Sequence, residues 1–133
     1  MIQHGVTTVL TGNCSLSLAP VRAEHRPDLG AIFGYIEDMP KSMFSEGIQW
    51  NWVGYPEYHE ILARQSLATN VATLVGHTAL SLFVIGDESW ERSATETERK
   101  QMTALLDEAL CAGACAQSFI EQRRHLLAFG FRR

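Results

Sequence analysis

Two stretches decide the fold: Gly5-Val6-Thr7-Thr8-Val9-Leu10-Thr11-Gly12-Asn13-Cys14, and Asn70-Val71-Ala72-Thr73-Leu74-Val75-Gly76-His77. Each is a short run rich in β-branched residues that closes on a glycine, the pattern of a buried strand ending in a turn. Each also delivers a side chain with ligating or hydrogen-bonding chemistry, Cys14 or His77, just beyond the expected strand end.

Helical signals fill the space between and after them. Residues 31–39 put Ile32, Phe33 and Ile36 on one face, while Pro20, Pro27 and Pro40 interrupt the irregular stretch 15–53. A connection this long is uncommon and tends to be functional when ordered. Pro56 suits a first helical position and starts a helix to about Arg64, with Tyr58, Ile61 and Leu62 on one side. Thr95 with Glu98 three residues on is a capping box. Met102, Leu105, Leu106, Ala109 and Leu110 then recur at helical spacing, and Gly113 ends the run. Residues 114–120 predict a third strand. Strands alternating with helices imply βαβ units and a parallel sheet, so the fold class is α/β. Chemistry in such sheets gathers at the carboxyl ends of the strands, where Cys14 and His77 fall.

Composition narrows the function. The chain has 133 residues, 46% apolar and 20% charged, enough for one ordinary core and not the profile of a disordered chain. A formal charge of −4 argues against nucleic acid or an anionic membrane as partner. The three cysteines Cys14, Cys111 and Cys115 are too few for a disulfide framework, and neither a spanning segment nor a secretion signal is evident, so a cytoplasmic setting is expected.

The run from Gly5 through Cys14 to Ser15-Leu16-Ser17-Leu18-Ala19-Pro20 resembles the D-aminoacylase (N-acyl-D-amino-acid deacylase) branch of the amidohydrolases. The likeness continues at Trp50-Asn51-Trp52, at Asn70 to Gly76-His77-Thr78-Ala79-Leu80, at Leu106-Asp107-Glu108-Ala109-Leu110 and at Gly113-Ala114. It spans about Gln3 to Cys115. The resemblance implies a (β/α)8 TIM-type barrel, of which residues 1–115 supply about three consecutive parallel strands with their helices. It also implies hydrolysis of N-acyl-D-amino acids to a carboxylate and a free D-amino acid, with zinc as the metal. In this branch the cysteine of the Gly-Asn-Cys motif is a metal ligand, and it matches Cys14; thiolate is a soft, anionic donor suited to zinc.

This sequence departs from the family pattern in three places. Ser15 stands where glycine usually follows the cysteine, and Ser81 where an arginine commonly follows the Gly-His segment. From residue 116 to 133 the chain diverges, with Gln117-Ser118-Phe119-Ile120-Glu121-Gln122-Arg123-Arg124 where a glycine- and serine-rich strand end is expected; a frameshift or a wrong gene boundary is one reading of this tail. The resemblance also implies that the His-x-His motif precedes Gly5 and that the other metal-binding histidines and the catalytic aspartate follow Cys115. No catalytic residue is therefore assigned here, and the chain alone is expected to lack both bound zinc and activity. Two other readings stay open: a non-enzymatic remnant, or one part of a split barrel completed by another polypeptide.

Residue by residue, a plainer role stands beside each functional one. Without the resemblance Cys14 is an ordinary buried thiol. His77 is either a substrate-binding residue or a hydrogen-bonded structural histidine. His4, His25, His59 and His125 show no partner at ligand spacing and are expected at the surface. Cys111 and Cys115 are expected to pack, as are Trp50 and Trp52. Asp87, Glu88 and Glu91 are expected in a solvated loop, and Arg123, Arg124, Arg132 and Arg133 in a solvated basic end.

Overall fold

The computed structural model describes residues 2–119. Three strands, β1 (Thr8–Thr11), β2 (Asn70–Gly76) and β3 (Ala116–Ser118), form one sheet in the order β1-β2-β3. Both pairings are parallel, as the alternation of strand and helix signals requires. Thr11 lies opposite Thr73, and Ser118 opposite Gly76, so the carboxyl ends of all three strands face one rim. The α/β reading is borne out.

Between β1 and β2 come α1 (Arg26–Ile36), α2 (Lys41–Ser45) and α3 (Tyr55–Arg64); α4 (His77–Ile85) follows β2 directly, and α5 (Glu96–Cys111) leads to β3. Pro27 opens α1 from within its first turn instead of interrupting the chain, because a residue in that turn needs no intrahelical N–H bond. Pro56 does the same for α3. The capping box of α5 forms as expected, with Thr95 Oγ1 accepting from the Glu98 N–H at 3.3 Å and the Glu98 carboxylate accepting from the Thr95 N–H at 2.7 Å.

The core lies where α4 and α5 cover β2. It joins Val75, Leu80, Met102 and Ala109 to Trp52 and Tyr55. Trp52 is buried, donates from Nε1 to the Leu18 carbonyl at 2.8 Å, and stands 5.3 Å from the Trp50 ring, so the tryptophans pack the long β1–β2 connection onto the domain.

Several expectations are corrected. β1 is not buried: Leu10 is 47% exposed, because β1 is an edge strand paired on one side only among the described residues. Helix α4 gave no signal because Ala79, Leu80, Leu82, Phe83, Val84 and Ile85 make it apolar on every side, which erases the amphipathic period. The third strand is shorter than 114–120. Cys111 and Cys115 are exposed free thiols rather than packing residues. Among the described residues no helix is long and apolar enough to cross a membrane. The expectations for His125 and the basic end lie outside the described residues.

Candidate functional site

Beyond β1 the chain turns sharply. Leu16 N–H donates to the Asn13 carbonyl at 3.0 Å, closing a four-residue turn whose two central residues, Cys14 and Ser15, have φ of 55° and 66°. Positive φ at two successive positions marks a mirror-image turn, which favours glycine or asparagine because an L side chain crowds the backbone there. Each such residue costs about 1 kcal/mol or more and persists only where the surroundings over-determine it. Ser15, standing where the related sequences are expected to carry glycine, is one of them.

Three serines and a threonine supply that constraint. Ser118 Oγ, at the end of β3, accepts from the Ser15 N–H at 3.1 Å and donates to the Gly12 carbonyl. Ser15 Oγ accepts from the Thr78 N–H and from Thr78 Oγ1, each at 3.1 Å. Ser17 Oγ accepts from the Gly76 N–H at 3.0 Å and donates to the Ala19 carbonyl at 2.7 Å. Gly76 is needed as glycine, since a Cβ there would meet the Ser15 carbonyl group. The turn is thus pinned by the ends of both other strands, while Cys14 itself stays exposed.

His77 begins α4 and is half-buried. Its Nδ1 faces the Gln117 amide nitrogen at 3.2 Å and its Nε2 faces Ser81 Oγ at 3.3 Å. An amide nitrogen only donates, so Nδ1 accepts and the Nε2 proton points to Ser81. Phe119 meets the ring edge-on at 5.0 Å. Sequence reasoning missed both partners: Ser81 is one helical turn away, and Gln117 is 40 residues on.

A cavity of about 500 Å³ opens beside the turn, within the usual size range for small-molecule sites. Asn13, Cys14, Thr73 and Glu37 give it polar atoms, and Leu16, Leu18 and Phe33 an apolar wall. His77 does not line it, so the two sequence-predicted site residues share the strand-end rim but not one cavity. Thr73, which lines it, shares a hydrogen bond with the Tyr55 hydroxyl, and burial raises the Tyr55 pKa above its ordinary value.

As a metal ligand, Cys14 fits in chemistry and exposure but not in number. A catalytic zinc needs about three protein donors. Among the described residues the cluster with metal-ligand spacing is His25, Asp28 and Asp87, without Cys14. His25 Nδ1 lies 3.4 Å from Asp28 and 3.8 Å from Asp87, so it is not the partnerless histidine its sequence spacing suggested; the fold brings Asp87 across from the end of α4. The hydrogen bond between His25 and Asp28 accounts for much of that cluster.

No family model matches the chain. Over 113 residues it is 41% identical to an N-acyl-D-aspartate deacylase of Alcaligenes xylosoxydans xylosoxydans, covering 85% of this chain and 20% of that protein. It is 34% identical over 113 residues to a D-aminoacylase of the same organism, covering 85% of this chain and 21% of that one. A solved D-aminoacylase, described by its binuclear metal center with one-metal activation and second-metal attenuation, superposes with a TM-score of 0.65 at 36% identity, over 88% of this chain and 22% of its own. The chain spans about a fifth of the length of the curated relatives it matches.

Proposed function

We propose that this chain, a relative of the D-aminoacylases and N-acyl-D-amino-acid deacylases over about a fifth of their length, carries the Cys14 corner of a metal-dependent amide-hydrolase centre. The observation that carries the reading is the turn after β1. It spends strained backbone geometry and long-range hydrogen bonds on holding one exposed thiol at the rim where α/β sheets do their chemistry.

In this reading the sheet is three consecutive strands of a (β/α)8 barrel, residues 1–115 follow the family's barrel sequence, 116–133 diverge from it in sequence although β3 still pairs with β2, and the surroundings are cytoplasmic. Zinc is the metal and Cys14 one of its ligands; bound, it would polarise the scissile carbonyl and activate a water. The substrates are N-acyl-D-amino acids, whose size suits the cavity beside Cys14. His77, fixed by Ser81 and Gln117 outside that cavity, approaches the substrate from the same strand-end rim. The further donors needed beside Cys14 lie outside the described residues, and in this reading a complementing barrel segment supplies them as partner, the chain without it being inactive.

Co-expression with the remaining barrel segments of the related N-acyl-D-aspartate deacylase tests this. Expected is divalent-metal-dependent hydrolysis of N-acyl-D-amino acids, abolished by Cys14→Ser. No hydrolysis, or hydrolysis indifferent to that substitution, overturns it and leaves the non-enzymatic reading. That second reading is favoured by one observation, the lack of a ligand cluster around Cys14 among the described residues.

A further inference from the structure

We propose that Ser118 is a positioning residue for Cys14: from the end of β3 its hydroxyl reaches past β2 and closes a clasp on the Gly12–Ser15 turn that fixes where the thiol points. Ser118 touches the turn on both sides of Cys14, donating to the Gly12 carbonyl before it and accepting from the Ser15 N–H after it. One hydroxyl has one proton to give and lone pairs to receive, so a single side chain satisfies both backbone groups. β1 and β3 are not neighbours in the sheet, and backbone pairing gives no direct tie between them. Ser118 supplies one.

The other restraints act elsewhere. Thr78 holds Ser15 by its carbonyl and hydroxyl, and Ser17 fixes the chain below the turn. Neither reaches Gly12, so without Ser118 the Gly12 carbonyl loses its tie to β3, and the Leu16 N–H to Asn13 carbonyl bond is what still holds the β1 side of Cys14. A turn with two non-glycine residues at positive φ relaxes when a restraint is lost. The functional meaning of the clasp rests on the ligand reading of Cys14, but the clasp itself does not.

The test uses the full 133-residue chain with isotope-labelled cysteine, reading the Cys14 Cβ resonance and the exchange rate of the Ser15 amide. In the unsubstituted chain the Ser15 amide is expected to be protected. Ser118→Ala is expected to shift the Cys14 resonance and speed Ser15 exchange about tenfold, the scale of one lost hydrogen bond. Ser118→Thr, which keeps the hydroxyl, is expected to restore both. Thr95→Ala, which weakens the distant α5 cap, is expected to change neither. An unprotected Ser15 amide in the unsubstituted chain overturns the proposal even if Ser118→Ala fails to fold. So does an unmoved Cys14 resonance in Ser118→Ala, or an equal shift in Thr95→Ala. If the clasp responds as expected while Cys14→Ser leaves metal-dependent hydrolysis intact, the ligand reading falls and the clasp stands.

Discussion

The N-terminus of α5 and the turn after β1 are both held by hydroxyl groups on backbone N–H, yet they are built at opposite ranges. At α5 every partner is close in sequence. Thr95 and Glu98 cap each other three residues apart, and Arg92, six residues before Glu98, binds its carboxylate with two bonds of 2.7 Å. At the turn, the partners lie 59 residues away for Ser17 with Gly76, 63 for Ser15 with Thr78, and 103 for Ser15 with Ser118. A local cap stabilises one element. A long-range clasp forms only when the sheet assembles, so the geometry at Cys14 depends on the whole domain.

That contrast can be broken most severely at Gly76. A Cβ there has no room against the Ser15 backbone, so Gly76→Ala is expected to destabilise by about 3 kcal/mol, read from the urea midpoint. An unchanged midpoint would mean the turn yields easily. Ser17→Ala removes a buried hydroxyl that both accepts and donates, leaving two groups unpaired; about 2 kcal/mol is expected by the same measurement. Thr95→Ala should cost about 1 kcal/mol, as the loss of a helix cap does, and a cost equal to that of Ser17→Ala would erase the distinction between local and long-range restraint.

The smallest effect is electrostatic. Hydrogen bonds from Arg92, then from Thr95, hold the Glu98 pKa down to about 2 from its ordinary 4.5. A depressed carboxylate contributes stability that is complete above its unfolded value and is lost as pH falls toward the folded one. The melting temperature is therefore expected to decline between pH 4.5 and pH 2, and to decline less in Glu98→Gln. Glu98 lies partly buried at the surface, and solvent screening limits the change. Equal slopes in the two proteins would assign acid sensitivity elsewhere.

Legibility in the sequence followed the same divide. The α5 cap, the strand Asn70–Gly76 and the start of α3 at its proline were readable, because capping boxes, β-branched runs and proline act over a few residues. Helix α4 was not, since an apolar helix buried on several sides carries no period. The polar partners of the candidate site, Ser118, Thr78 and Gln117, left no local mark either, being ordinary residues far from the ones they serve. The resemblance carried Cys14 into view, but not the positive φ at Cys14 and Ser15.

By itself, then, the sequence determined the strand order, helices α3 and α5, the α/β class and the placement of Cys14 and His77 just past strand ends, since these follow from near-neighbour preferences and a parallel sheet's geometry. Only the tertiary structure decided that the Cys14 turn is pinned by β2 and β3, that His77 is tied to Ser81 and Gln117 outside the Cys14 cavity, and that His25 meets Asp87. Those are contacts between residues brought together by chain topology, and no local pattern encodes a hydrogen bond across a hundred residues.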